Sequence, residues 1–100
     1  MKRRYKKQVQ RGVKLLDFEI PNWRMGIDIE TLDMDRQSEC ILGQLYGNYV
    51  DGLYLLHPFA MTSGGSLWAR RRGFLGPLFF VSYRDYEALR EEWIRQIKGE

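Results

Sequence analysis

Two adjacent rows of apolar side chains between residues 41 and 54 limit what this chain can fold into. The side chains recur every four residues, as Ile41, Leu45, Tyr49 and Leu53 in one row and Leu42, Tyr46, Val50 and Tyr54 in the next. Positions four apart share one face of an α-helix, so two neighbouring rows give a broad face that must be buried. The rows predict a central helix from residue 38 to 56, with Ser38 as its N-cap and His57-Pro58 at its end.

Gly43 and Gly47 lie four residues apart inside this predicted helix. Their missing side chains let another backbone approach closely, a spacing that marks helix pairing in membranes. We interpret the two glycines as close packing within the core or as a bend near Gly47. Pairing of the Gly43/Gly47 face with a second copy of the chain stays open.

A second helix is predicted from residue 8 to 19. Val9, Val13, Leu16 and Ile20 line one helical face, whereas a strand-like alternation covers only five residues. Gly12 opposes this prediction, since glycine within a helix costs about 1 kcal/mol relative to alanine. Pro21 ends the helix and suits the first turn of a short helical segment that carries Trp23 inward.

The last helix is predicted from residue 83 to 98. Its apolar positions are spaced for one helical face and are Tyr86, Leu89, Trp93 and Ile97. Ser82 stands at the N-cap position with Asp85 three residues on, which approximates a capping box.

The remaining segments have weaker patterns. The acids Asp28, Glu30, Asp33 and Asp35 occupy an extended or turn-rich connector, and residues 60 to 66 are typical of a flexible loop. Residues 67 to 81 are irregular, with a short β-hairpin left open. The predicted fold is therefore mainly α, a compact small helical domain over residues 8–100 that follows a basic N-terminal tail over residues 1–7.

Charge is strongly segregated along these 100 residues, which leave room for one domain. Residues 1 to 14 hold seven Lys or Arg and no acid, and residues 15 to 51 hold eight acids against two arginines. The net charge of +3 conceals this asymmetry. Such a pattern indicates a basic segment that meets an anionic partner or folds back on its own acidic body.

Few residues carry the chemistry that an enzyme or metal site needs. Cys40 and His57 are the only residues of their types and stand 17 positions apart, so a structural zinc site is not expected. The acidic connector lacks the glycine turn and distal Glu of a calcium loop. No phosphate-binding loop or nucleophile–base arrangement stands out. We expect no catalytic residue, no metal, no cofactor and no enzymatic activity.

Two basic segments could contact nucleic acid. One is the tail, with Lys2, Arg3, Arg4, Lys6 and Lys7, and the other is the run Arg70, Arg71 and Arg72. Contacts from such residues to phosphates give salt-sensitive affinity without sequence reading. The competing interpretation is that the tail only aids solubility.

The residues around the arginine run also have the composition of a protein-binding surface. Aromatic residues and arginine dominate binding hot spots, so the predicted partner-binding residues are Trp68, Arg70, Arg71, Arg72 and Phe74. The alternative is that the aromatic side chains complete the core against the helices.

Two short pieces of sequence are specific enough to compare with known proteins: Leu32-Asp-Met34 and Cys40-Ile-Leu-Gly-Gln-Leu-Tyr-Gly47. On these pieces, and on weaker matches that span most of the chain beyond residue 14, the sequence resembles a group of small proteins encoded by phages of actinobacteria and by their hosts. The resemblance implies a phage origin and a compact helical fold, and implies no activity or site residues. Relatives often have a second cysteine where this chain has Ser38.

These observations favour a non-enzymatic, phage-type accessory protein that binds a host or phage protein. The alternative is a nucleic-acid-associated protein that uses its basic tail with Arg70–Arg72. A single cysteine fits a reducing compartment, and no apolar stretch is long enough for a signal peptide or a membrane span. We therefore expect a cytoplasmic protein, in the host bacterial cytoplasm if it is phage-encoded, with no membrane partner.

Overall fold

The fold is mainly α, as the sequence predicts. The structure, a computed structural model, describes residues 3–57, 65–76 and 82–99, and within these ranges it contains helices and turns but no strand. The helices, in chain order, are α1 (Lys6–Glu19), a 3₁₀ turn (Trp23–Gly26), α2 (Ile41–Tyr46), α3 (Tyr49–Leu56), α4 (Gly65–Arg71) and α5 (Tyr83–Lys98).

The core lies where α1 meets α5 and α4. Val9, Val13 and Leu16 of α1 are buried, which confirms the apolar face of the helix predicted over 8–19, although the helix begins earlier, at Lys6. The short turn predicted after Pro21 is also confirmed, and it carries Trp23 into the core with no exposed surface.

The prediction of one continuous helix from residue 38 to 56 is wrong. Two shorter helices, α2 and α3, occupy these positions. Gly47 has a φ of 92° and ends α2 in the left-handed region. The Asn48 side chain then accepts a hydrogen bond from Val50 N–H (2.8 Å) and begins α3. This pair of capping residues stops one helix and starts the next within two positions. The bend near Gly47 is thus confirmed, and His57 ends α3 as predicted.

Ser38 is not the N-cap of α2, contrary to the prediction. That position belongs to Cys40, whose Sγ accepts a hydrogen bond from Gly43 N–H (3.3 Å).

Gly43 does not offer a surface to a second copy of the chain. It is buried, and a Cβ there would lie 2.9 Å from Ser38 Cα. The backbone that approaches Gly43 therefore belongs to the same chain. Gly47 is exposed and forms the bend, and pairing of copies through its side of the helix stays a prediction.

The acidic connector is turn-rich, as predicted, and it is fastened to α5. Asp28 Oδ1 accepts a hydrogen bond from Glu30 N–H (3.0 Å) within one of its turns. Arg90 of α5 donates to the carbonyl oxygens of Leu32 (2.6 Å) and Ile29 (2.9 Å). The connector is thereby held beside α5.

α5 has the predicted bounds and the predicted capping box. Ser82 N–H and Ser82 Oγ both donate to Asp85 Oδ2, at 2.9 and 3.0 Å. The region predicted as irregular or as a hairpin over 67–81 instead contains the end of α4, up to Arg71. Residues 77–81 lie outside the described residues, as do residues 60–64 of the loop predicted over 60–66. The loop prediction is wrong for Gly65 and Ser66, which belong to α4.

Gly12 lets α1 approach the core, so adding a methyl group there should destabilise the protein. A Cβ at Gly12 would lie 2.8 Å from Trp93 Cη2, and it would also meet the Arg72 carbonyl oxygen. Helix propensity alone predicts that Gly12→Ala stabilises the chain by about 1 kcal/mol. We expect the opposite, a loss of about 1–3 kcal/mol from overpacking, measured as a lower urea midpoint.

Gln10→Ala, on the exposed side of the same helix, is the matched control. We expect it to leave the urea midpoint nearly unchanged. A Gly12→Ala variant as stable as the parent protein would contradict this close approach.

Candidate functional site

The first described residues pack onto α5. Arg3 Nε donates to Glu92 Oε1 (2.8 Å), and Arg4 forms an ion pair with Asp85. Tyr5 is buried, and its hydroxyl donates to Asp85 Oδ1 (3.0 Å). Two of the five cations predicted for nucleic-acid contact are therefore engaged within the protein. Lys6 and Lys7 lie in α1 and are exposed, and Lys2 is outside the described residues.

The two carboxylates that hold this segment are buried and ionised. The Ser82 backbone N–H, aided by the Tyr5 hydroxyl, lowers the pKa of Asp85 to about 2. Burial raises the pKa of Glu92, but hydrogen bonds from Arg3 and Gln96 outweigh it, so the net shift is downward. Sequence analysis identified Asp85 only as a capping residue and missed Glu92, although both share the buried face of α5 with Leu89. The available signal was an acidic residue on the apolar face of a predicted helix.

Two flat groups pack on the Trp68 ring. The His57 ring stacks on it with centroids 5.0 Å apart and an angle of 18°, and the Arg72 guanidinium carbon lies 4.4 Å from the indole centroid. Arg72 also donates from Nη1 to the Trp68 carbonyl oxygen (3.2 Å). Burial, then repulsion from Arg11 and Arg71, lowers the pKa of Arg72. Stacking and hydrogen bonding thus hold Trp68 and Arg72 in one arrangement.

The other three predicted partner-binding residues have different surroundings. Phe74 is only 1% exposed and stacks on Trp93 with centroids 5.7 Å apart, so it belongs to the core rather than to a binding surface. Arg71 is exposed, whereas Arg70 is half-buried and its Nε has no hydrogen-bond acceptor within the described residues. The structure therefore does not present these five predicted residues as one surface.

Exposed apolar side chains occur on both elements that meet at Trp68. Leu55, near the end of α3, is 70% exposed, and Leu67 of α4 is 48% exposed. Tyr54 is also exposed. Because His57 and Trp68 stack, the end of α3 lies beside α4. We call Tyr54, Leu55, Leu67, Trp68 and Arg72 the Trp68 surface.

A second surface consists of exposed cations of α1 and the end of α4. Lys7, Arg11 and Lys14, together with Gln10, Val13 and Gln96, line a groove of about 490 Å³. Arg11 also lines an adjoining hollow with Arg70 and Arg71, and it donates from Nη1 to the Arg71 carbonyl oxygen (3.2 Å). No carboxylate lines either concavity among the described residues. We call Lys7, Arg11, Lys14 and Arg71 the basic groove.

The surroundings of Cys40 are those of a structural cysteine rather than a reactive one. Its thiol is buried, and burial raises its pKa. Within the described ranges, no group of three or more His, Cys, Asp or Glu side chains is placed to hold a metal ion.

No family model, curated protein or solved structure matches this chain. The resemblance to phage proteins therefore stays an expectation. In the part of the chain that the structure describes, no helix is long and apolar enough to cross a membrane.

Acid should weaken the protein through Asp85. A carboxyl group whose pKa falls from about 3.9 in the unfolded chain to a lower folded value stabilises the fold above pH 4. That contribution is lost as the pH falls through the folded pKa of about 2. We expect Asp85→Asn to lower stability at pH 7 and to flatten the decline between pH 4 and pH 2, measured by urea unfolding.

Glu91→Gln, at an exposed position of the same helix, provides the control and should keep the parental pH profile. If Asp85→Asn kept that profile too, Asp85 would not carry the acid sensitivity.

Proposed function

We propose that this chain is a small, non-enzymatic accessory protein of phage type that binds another protein through the Trp68 surface. The supporting observation is that Leu55 and Leu67 are exposed on the two helices whose ends meet at the stack of His57 on Trp68. Burying a leucine side chain contributes about 1.5–3 kcal/mol, so these two residues alone could supply a substantial part of a binding free energy.

The stack around Trp68 favours binding for a second reason. A partner that immobilises a mobile side chain loses about 0.5–1.5 kcal/mol of affinity for each one. Arg72 already lies on the indole and is hydrogen-bonded to the Trp68 carbonyl oxygen. Its side chain is therefore ordered before a partner binds, which reduces this cost. Tryptophan, tyrosine and arginine are the residue types enriched in binding hot spots, and Trp68, Tyr54 and Arg72 supply all three.

The environment of Cys40 supports a non-enzymatic role. A nucleophilic cysteine needs a thiolate, which forms readily where the pKa is low and the sulfur is accessible. Cys40 has the reverse properties, because its thiol is buried and burial raises its pKa. A reduced, buried thiol also suits the host bacterial cytoplasm, which we propose as the compartment.

The predicted tail carries less support as a nucleic-acid site than the Trp68 surface does as a protein site. Arg3 and Arg4 would have to leave Glu92 and Asp85. Among the described residues, Asp85 would then have no cation beside it, and Glu92 would keep only Arg95 at 3.6 Å. Leaving one member of a partly buried ion pair unpaired is destabilising. Deleting residues 2 to 7 would also remove buried Tyr5, so it would test stability together with binding.

The test begins with affinity capture from an actinobacterial lysate treated with nuclease at about 0.3 M salt, a condition that weakens phosphate contacts. A captured protein is identified, purified and titrated against the full chain and its variants. We expect Leu55→Gln/Leu67→Gln to weaken the measured affinity at least 10-fold, since two apolar contacts are lost.

The matched control is Phe18→Gln/Met25→Gln. Phe18 of α1 is 81% exposed and Met25 of the 3₁₀ turn is 88% exposed, and neither residue belongs to the Trp68 surface. This variant should bind as the parent protein does. Equal losses in both variants, or capture that disappears with nuclease, would reject the Trp68 surface as the docking site.

A further inference from the structure

We propose that the basic groove binds the phosphodiester backbone of duplex nucleic acid without reading its sequence. This activity goes beyond the proposed protein binding and uses a different surface. It also differs from the predicted nucleic-acid contact, because Arg11 and Lys14 belong neither to the tail nor to the run Arg70–Arg72.

The cations of α1 form a line. Lys7, Arg11 and Lys14 are separated by four and then three residues, which corresponds to about 6 and 4.5 Å along the helix axis. The hydrogen bond from Arg11 to the Arg71 carbonyl brings the end of α4 alongside. A row of this kind matches a ligand whose negative charges repeat along its length.

The positive charge of the groove is uncompensated. Among the described residues, none of its four cations forms an ion pair, whereas Arg3, Arg4, Arg24, Arg36 and Arg95 each do. Arg11 and Arg71 also help to lower the pKa of the neighbouring Arg72, which indicates positive potential at this end of α4. Such a surface attracts polyanions, and their counterions are released on binding.

The rest of the lining favours a phosphate backbone over an acidic protein. Val13 is buried and Leu75, which lines the adjoining hollow, is half-buried, so neither concavity presents a fully exposed apolar anchor of the kind that protein hot spots use. Its other members are the amides Gln10 and Gln96. Lysine, arginine and glutamine side chains are common partners of phosphate oxygens, and lysine is depleted from protein interfaces.

The charge density of the ligand favours a duplex over a single strand. A duplex carries one negative charge per about 1.7 Å of its axis, and each phosphate contact contributes about −0.9 to its salt slope, against about −0.7 for a single strand. Single-strand binders also stack successive bases on several exposed rings. Beside the groove, Tyr5 is buried with its hydroxyl bonded to Asp85, whereas Phe18, four residues after Lys14 on α1, is exposed. A lone exposed ring beside the described cations is no platform for successive bases, so the backbone contacts carry the affinity.

The first measurement is fluorescence anisotropy of a labelled 20-base-pair duplex titrated with the full chain at several salt concentrations. Four phosphate contacts predict a slope of log affinity against log salt of about −3.6. Affinity should therefore fall about 100-fold between 50 and 200 mM salt. Unrelated duplex sequences should bind equally, and a single strand of the same length should bind no more tightly.

The decisive comparison uses two variants of identical net charge. Lys7→Gln/Lys14→Gln removes two groove cations, and Arg36→Gln/Arg84→Gln removes two exposed cations elsewhere. We expect the groove variant to have a slope near −1.8 and to bind about 50-fold more weakly at 0.1 M salt. The control variant should stay within about threefold of the parent, as should Leu55→Gln/Leu67→Gln, which tests the proposed protein-binding surface separately.

The proposal is overturned if the parent chain does not bind duplex, or if both charge variants lose affinity equally. Tighter binding of the single strand would reject the duplex as ligand. Displacement of the duplex by polyglutamate at equal charge concentration would assign the groove to an acidic protein instead. The salt slope of the parent chain needs no variant, so the test does not depend on how well a variant folds.

Discussion

The burial of Trp93 is the constraint on which the positions of the other elements depend. Its ring meets Trp23 edge to face and stacks on Phe74, each with centroids 5.7 Å apart. Its indole N–H donates to the Gly73 carbonyl oxygen (2.7 Å), which satisfies the polar atom inside the core. Gly12 leaves space for the ring beside α1. One side chain of α5 thus contacts α1, the 3₁₀ turn and the segment after α4.

This arrangement divides the cations at the start of the chain into two groups. Because α1 lies against α5, Arg3 and Arg4 reach the carboxylates of Glu92 and Asp85, and they stabilise the fold. Within the part of the chain that the structure describes, the cations of the basic groove form no ion pair and remain available to a ligand. The basic segment therefore both folds back on the protein's own acids and offers a charged surface, the two outcomes that its composition left open.

Local signals in the sequence predicted α5 and the turn after Pro21 well, because periodicity and capping residues specify them directly. The prediction of a continuous central helix was wrong because Gly47 ends α2 and Asn48 begins α3. These two capping residues outweigh the helical periodicity of the apolar rows. The prediction placed Phe74 on a binding surface, which was wrong. Its burial depends on contact with Trp93, which is 19 residues away in the chain and therefore outside any local pattern. The ion pairs of Arg3 and Arg4 join residues more than 80 positions apart, and no sequence pattern gives such a pairing.

Hydrogen exchange of the three indole N–H groups, followed by NMR and assigned with Trp→Phe variants, tests the role of Trp93 most directly. The Trp93 indole N–H is buried and hydrogen-bonded, so it should exchange only as fast as the whole protein unfolds. The proton of half-buried Trp68 should exchange sooner. Exchange of the Trp93 proton within the first minutes, while backbone amides of α1 and α5 stay protected, would contradict its place at the centre of the core.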